Sequence, residues 1–301
     1  MAATRSSLAL CALLLCDAAT TQELEPRAYT NVPVGMNILI AGYAFTDGGF
    51  SADPSLPIED VELEQHTTLL AYSRSFGLLG RLAKIDLIAP YSWLSGTATA
   101  LGQPVAREVA GLNDPRFRFT YNFYGAPALS VEEWARRPDD LVVGVSLLVT
   151  APLGQYNDER VVNLGTNRWT VKPELGASKS WGPISLELSA GVTIFEDNED
   201  FVGATREQDP LYALQSHLVY SFRRSLWVAL DGTYYLGGRT ELDGVPNDDR
   251  QSSSRVGLTF SAPLSSRMSL KLYGSTAVST RVGGSWDAVG ITWQVRWGAG
   301  L

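Results

Sequence analysis

Residues 116–123 read Arg-Phe-Arg-Phe-Thr-Tyr-Asn-Phe, an aromatic side chain at every odd position and a polar one at every even position. Successive side chains of a β-strand point to opposite faces, so a segment of this kind must lie between two different environments. The same period returns along most of the chain. In residues 184–194, Ile184, Leu186, Leu188, Ala190, Val192 and Ile194 alternate with Ser185, Glu187, Ser189, Gly191 and Thr193. In residues 83–93, Ala83, Ile85, Leu87, Ala89, Tyr91 and Trp93 alternate with Lys84, Asp86, Ile88, Pro90 and Ser92. Beyond the N-terminal stretch no apolar run approaches the roughly 20 residues of a membrane helix. Alternation and turn residues together predict twelve strands, near 34–45, 67–76, 82–94, 116–125, 141–151, 168–179, 184–195, 211–222, 226–236, 254–262, 267–279 and 286–297.

The two faces decide between a soluble sandwich and a membrane barrel. A sandwich turns its charges outward and its apolar side chains to a core. Here the apolar face is large and aromatic on nearly every strand, and the opposite face is small, polar and mixed in charge. The polar-face residues are Lys84, Asp86, Arg116, Arg118, Asn122, Lys172, Glu174, Glu187, Gln215, His217, Asp231, Arg255, Lys271 and Arg296. A Lys or Arg facing lipid at the bilayer midplane costs about 2–4 kcal/mol, so these residues are expected to line a lumen and set its selectivity. The expected fold is an all-β, transmembrane, antiparallel up-and-down barrel of about twelve strands in the outer membrane. An even strand count suits antiparallel closure, and about ten residues per strand span an apolar band about 25 Å tall. Tyr91, Trp93, Trp169, Tyr212, Tyr220, Phe222, Tyr234, Trp293 and Trp297 fall near strand ends, where interfacial girdles form.

The connections mostly alternate in length. Residues 46–65, 95–115, 152–167, 196–210 and 237–253 are long and rich in Asp, Gly and Asn, whereas 77–80, 180–183, 223–225 and 263–266 are tight. Long extracellular loops and short periplasmic turns are the barrel arrangement. Two connections depart from it. Residues 126–140 hold a short helix with Ser130 as N-cap, and residues 280–285 are short.

Arg5, the apolar run 8–15 and small residues at Ala18 and Ala19 read as a secretory signal, giving a signal peptide at 1–20 and a barrel domain at 21–301. Acylation of Cys16 competes with that reading, but Leu15 is bulky for a lipoprotein processing site. Cys11 and Cys16 are the only cysteines of the 301 residues, so the mature barrel is expected to have no disulfide and no thiolate ligand. With 24 Lys and Arg against 32 Asp and Glu, the chain lacks the basic footprint of a nucleic-acid binder.

Several stretches resemble one outer-membrane family. They are Leu147-x-Val149-Thr150-Ala151-Pro152-x-Gly154-Gln155-Tyr156, Asn163-Leu164-Gly165-Thr166-Asn167-Arg168-Trp169, and Lys172-Pro173-Glu174-Leu175-Gly176. Gly125-Ala126-Pro127-Ala128-Leu129-Ser130, Thr205-Arg206-Glu207-Gln208-Asp209-Pro210-Leu211 and Asp231-Gly232-Thr233-Tyr234-Tyr235 add to them, as does Gly237-Gly238-Arg239-Thr240. Together they resemble the MetA-pathway of phenol degradation family of transporter-like barrels. The resemblance implies a barrel that passes small aromatic or hydrophobic solutes. The chain departs from such barrels at its end, where Gly298-Ala299-Gly300-Leu301 follow Trp297 in place of a final aromatic.

Candidate chemistry is sparse. His66 and His217 are the only histidines, and alternation puts His217 in the lumen beside Gln215 while Ser216 points outward, which argues against a Ser216–His217 pair. Arg116, Arg118, Lys172, Glu174 and Glu187 can narrow the lumen as a constriction or compensate one another as a structural network. The acidic run 196–200 lacks the spacing of a calcium loop and reads as a solvated loop tip. No catalytic residue, cofactor or metal is expected. The partners expected are outer-membrane lipid, a small hydrophobic or aromatic solute and the outer-membrane assembly machinery. The function these features favour is passive uptake of that solute; the rivals are a barrel hydrolase of lipid or peptide and a structural or adhesive barrel with binding loops.

Overall fold

The structure, a computed structural model, describes residues 25–51, 58–100, 103–137, 140–223 and 225–300. The expected signal peptide, with both cysteines, lies outside the described residues. The strands are β1 (Met36–Ser51), β2 (Ile58–Leu78), β3 (Arg81–Ala100), β4 (Gln103–Leu112), β5 (Arg116–Tyr124), β6 (Val142–Thr150), β7 (Thr170–Trp181) and β8 (Ile184–Phe195). After them come β9 (Asn198–Phe201), β10 (Ala204–Gln208), β11 (Leu211–Arg223), β12 (Leu226–Gly237), β13 (Thr240–Leu242), β14 (Val245–Pro246), β15 (Gln251–Pro263), β16 (Met268–Thr280) and β17 (Gly283–Gly298). The helix α1 (Val131–Arg136) lies between β5 and β6.

Thirteen strands form one antiparallel sheet in the order β2-β1-β17-β16-β15-β12-β11-β8-β7-β6-β5-β3-β4, and pairing of β2 with β3 closes it. Both β4 and β5 pair with β3, β4 along Tyr91–Ala100 and β5 along Ala83–Ile88, so they share one place and the barrel has twelve staves. First and last strands meet along the full length of β1, from Met36 opposite Gly298 to Ser51 opposite Gly283. All twelve expected strands are present. Leu70, Leu87, Leu188, Leu218, Leu230 and Phe260 stand exposed on the outer face, and the girdle residues Trp93, Trp169, Tyr212, Trp293 and Trp297 point the same way.

The connections are more ordered than their composition suggests. Residues 95–115, expected as a loop, carry the end of β3 and all of β4. Residues 196–210 and 237–253 each contain a hairpin, and together these make a four-stranded sheet, β14-β13-β10-β9. The hairpins turn on Val202-Gly203 and Asp243-Gly244, all four at positive φ, the geometry of the tight turn that matches strand twist. The four carboxylates of the acidic run are exposed, as a solvated tip requires, while Asn198 among them is buried, donating to the Tyr156 hydroxyl at 2.8 Å and accepting from Asn167 Nδ2 at 2.9 Å. The connection from β6 to β7 folds back over buried Asp114, whose carboxylate accepts from the backbone N–H of Gly154 at 2.8 Å and of Thr166 at 2.7 Å.

Ser130 caps α1 as expected. Glu133 N–H donates to Ser130 Oγ at 3.3 Å and the Glu133 carboxylate accepts from Ser130 N–H at 2.9 Å, a reciprocal capping box that holds the Glu133 carboxyl below the usual carboxylate range. The indole of Trp134 then donates to the carbonyl of Asn31 at 2.9 Å, tying the helix to chain that precedes β1.

That preceding segment, residues 25–35, runs inside the barrel. Its anchor is Tyr29, 3% exposed, whose ring lies against Gly144 and Gly176. The two glycines are register partners on β6 and β7 and both occupy lumen-facing positions. A Cβ on Gly176 would stand 2.0 Å from Tyr29 Cε2, and one on Gly144 2.3 Å from Asn122 Oδ1. The missing side chains are therefore the socket for the ring. Gly176→Ala is expected to destabilise by about 1–3 kcal/mol, the usual cost of overpacking, and to cost much less in a Tyr29→Ala background where the ring is gone. Denaturant unfolding of the two single variants and the double variant measures the coupling; additive losses would show that the ring does not fill this socket.

Candidate functional site

Parity along the strands sends every lumen candidate inward: Lys84, Asp86, Arg116, Arg118, Asn122, Lys172, Glu174, Glu187, Gln215, His217, Asp231, Arg255, Lys271 and Arg296 all lie on the face opposite the exposed apolar side chains. They fall into overlapping sets. One meets the N-terminal segment, chiefly from β5–β8 and with Lys84 of β3 added. The Tyr29 hydroxyl donates to Glu174 Oε1 at 2.8 Å and lies 3.2 Å from Ser146 Oγ. Asn122 Nδ2 donates to the Tyr29 carbonyl at 3.3 Å, and Lys84 donates to the carbonyl of Ala28. The backbone N–H of Arg27 donates to Glu187 Oε2 at 2.5 Å, while its guanidinium lies 5.8 Å from the Trp227 ring.

The carboxylates of this wall are compensated in place, as buried charges require. Lys172 Nζ stands 3.2 Å from Glu174 Oε2, two residues along the same face of β7. Ser178 Oγ donates to Glu187 Oε1 at 3.2 Å. Asp231 faces His217 Nδ1 at 2.7 Å and accepts from Thr259 Oγ1 at 2.6 Å. His217 is thus a buried hydrogen-bonding residue, and Ser216, register partner of Gly232, points to the outer face as alternation requires. Among the described residues no group of three or more His, Cys, Asp or Glu side chains is placed to hold a metal ion.

Toward the rim of the long connections the lumen is filled. Buried Arg255 donates to the Trp286 carbonyl at 2.8 Å and its guanidinium lies 5.2 Å from the Trp286 ring. Arg168, 1% exposed, reaches Gln208 and stacks 4.5 Å from the Phe195 ring. Asp249, beneath the small sheet, accepts from Thr240 N–H at 2.8 Å; burial nevertheless pushes its carboxyl up.

The other set of candidates borders open space. With Tyr29 and Arg27 of the N-terminal segment held against β6–β8, and Ala28 and Glu25 reached by Lys84 and Lys271, a cavity of about 420 Å³ remains against β1–β3 and β16–β17. Its floor is apolar. Ile38 and Ile40 of β1, Ala71 of β2 and Ile88 of β3 face inward and adjoin in register, Ile40 opposite Ala71 and Ala71 opposite Ile88. Lys84, Asp86 and Arg118 border the floor on one side, and Lys271 and Arg296 on the other. Ser225 and Ser266, from two of the tight turns, also line the cavity, so it reaches the short-turn rim. Sequence reasoning placed Ile88 on the inward face but did not single out Ile38, Ile40 or Tyr29. Two lumen-facing glycines opposite one another were the available sign of the ring.

Comparison with known proteins agrees with this architecture. Residues 43–292 match the family described as "Putative MetA-pathway of phenol degradation". None of the curated proteins matches the sequence. Among solved structures, the COG4313 outer membrane channel from Pseudomonas putida F1 superposes with a TM-score of 0.79 at 21% identity, covering 91% of this chain and 100% of that one. The transport unit of the autotransporter AIDA-I from Escherichia coli has a TM-score of 0.51 at 7% identity, with 92% and 93% covered. The beta domain of the Bordetella autotransporter BrkA has a TM-score of 0.51 at 11% identity, with 87% and 100% covered. At these identities the likeness is one of fold, a closed outer-membrane barrel. Carrying the family's sequence pattern over most of its length and folded as a twelve-stave wall, the chain belongs to the MetA-pathway of phenol degradation family of outer-membrane β-barrels.

Proposed function

We propose that the barrel gives small hydrophobic or aromatic compounds a passive route across the outer membrane. One observation carries this reading: the N-terminal segment leaves part of the lumen open, and the space beside it is floored by Ile38, Ile40, Ala71 and Ile88. A cavity of about 150 Å³ lined by apolar side chains holds a benzene ring, so this larger one admits a solute of one or two rings. An apolar floor also removes the penalty that a water-filled pore would impose on such a solute. The description of the family, which names phenol degradation, supports the same class of compound.

In this reading the polar lumen residues set selectivity, and the solute follows its concentration gradient. The N-terminal segment is tied to the wall by noncovalent contacts, hydrogen bonds and ion pairing, so it yields without breaking the barrel. Residues 1–20 act as the signal peptide, and the assembly machinery of the outer membrane inserts the mature chain. His217 serves the wall through Asp231 and takes no catalytic part.

The direct test uses vesicles whose outer leaflet is lipopolysaccharide, which by itself passes apolar solutes slowly. Reconstituted barrel is expected to accelerate entry of phenol over protein-free vesicles, and Ile40→Asp, which charges the floor, to reduce that entry. Equal rates with and without protein would end the channel reading. Removal of residues 25–34 is expected to raise single-channel ion conductance several-fold in planar bilayers, because the segment occupies part of the lumen cross-section. Unchanged conductance would mean that the segment does not limit the passage.

A further inference from the structure

We infer that the passage favours amphiphiles with one negative charge, aromatic or short aliphatic carboxylates, over neutral or cationic molecules of the same shape; this rests on the channel reading above and names its substrate class. The chain as a whole is acidic, with a formal net charge of -8. Its cavity is the reverse. Five basic residues, Arg27, Lys84, Arg118, Lys271 and Arg296, line it against two acidic ones, Glu25 and Asp86. The lumen's other carboxylates do not offset this excess, because each is engaged elsewhere: Glu174 by Tyr29 and Lys172, Glu187 by Arg27 N–H and Ser178, Asp231 by His217 and Thr259.

Two of the cavity's cations are engaged by neutral groups. Arg296 Nε donates to the carbonyl of Ser266 at 3.2 Å and its Nη2 to Ser225 Oγ at 3.3 Å. Among the described residues no carboxylate lies within ion-pair distance of Arg296. Lys84 donates to a backbone carbonyl, that of Ala28. Arg296, a guanidinium that does not deprotonate in proteins, therefore keeps its positive charge toward the cavity.

Their placement suits an amphiphile. Arg296 is the register partner of Ile38 across the β1–β17 seam, and Gln294 that of Ile40. On the far side of the floor, Asp86 is the register partner of Arg118. A ring on Ile38, Ile40, Ala71 and Ile88 thus has a guanidinium at the edge of its platform, where a carboxylate attached to the ring accepts a charge-assisted hydrogen bond. A rim of Lys and Arg is also how anion-selective pores are built.

Lys271 adds a point of exchange. Its ammonium lies 3.2 Å from Glu25 Oε1, with the lysine side chain 14% and the glutamate 51% exposed. Glu25 belongs to the N-terminal segment, so it is a carboxylate from the chain itself standing where an incoming one would bind. A solute carboxylate that replaces it on Lys271 releases one tie of the segment as it enters.

Benzoate, benzyl alcohol and benzylamine share a ring and differ in head-group charge, and they separate the possibilities at neutral pH. Binding is measured by calorimetry on the barrel in lipid nanodiscs and entry by flux into the vesicles used above. Benzoate is expected to bind about tenfold more tightly than benzyl alcohol, the scale of one hydrogen bond to a charged group, and benzylamine most weakly. Lys271→Gln with Arg296→Gln should bring the benzoate to benzyl alcohol ratio close to one, Arg296→Lys should retain most of it, and Glu25→Gln should raise it. Heat-modifiable migration in gels reports assembly of each variant, and the single variants serve if the double variant does not assemble. A wild-type ratio near one, with both compounds entering, overturns the inference and leaves the channel; a ratio that survives loss of both cations overturns the assignment to them. Entry of none of the three above protein-free vesicles overturns the channel reading itself.

Discussion

Inside a hydrocarbon layer no water is available to an unpaired N–H or C=O, and a sheet can satisfy its backbone there only by having no edge. The seam between β1 and β17 meets this demand along sixteen register pairs, and most of the architecture follows from it. Closure fixes which face of each strand meets lipid. A slip of one residue at any seam would turn that strand inside out, sending residues such as Lys84 and Asp86 into lipid and Leu87 into the lumen. The register is therefore held by backbone pairing and by the cost of misplaced charge together. Only at β4 does this wall loosen. It has a strand partner on one side, and its end is met on the other by the folded-back connection, where Gln155 N–H donates to the Leu112 carbonyl at 2.7 Å.

Closure with twelve staves creates a second demand. Such a barrel is wider than one that side chains alone can fill, and narrower than an open porin. The N-terminal segment supplies part of what is missing. It also completes the chemistry of the wall, because Glu174 and Glu187 receive donors from Tyr29 and Arg27 in addition to those of Lys172 and Ser178. A carboxylate left unpartnered in that position would carry a desolvation penalty. Segment and wall therefore stabilise one another. The paired glycines at Gly144 and Gly176 are the steric side of the same fit, since any larger side chains there would exclude the ring.

The stave count, the inward face of each strand and the capped helix were legible because each rests on a local rule: alternation of period two, or a serine three residues before a glutamate. What escaped was set by distant contacts. Nothing near Tyr29 in the chain announces that it docks on strands more than a hundred residues away. The apolar floor was hidden for a related reason. Ile38 and Ile40 alternate with Leu39 and Ala41, so β1 is apolar on both faces and alternation alone does not say which one lines a lumen. The outer sheet was missed differently. Asp243-Gly244 is a strong hairpin signal, but its flanking strands, Thr240–Leu242 and Val245–Pro246, are too short for periodicity to register.

Counted by composition, the lumen candidates hold seven basic side chains against four acidic ones, and charges so mixed suggest a largely self-neutralising network. The structure shows the two signs to be spatially divided. Acidic side chains on β7, β8 and β12 are consumed by hydrogen-bond donors and cations of the wall and the segment, and the basic side chains on β3, β5, β16 and β17 border the remaining space. Interior electrostatics act over short distances against a low effective dielectric, so a solute responds to the groups beside it and not to the sum over the barrel. The segment that narrows the lumen thereby also shapes the charge of what is left. By taking up Glu174 and Glu187 it keeps two carboxylates from the passage, and the basic side chains beside the free volume face it with fewer acidic neighbours.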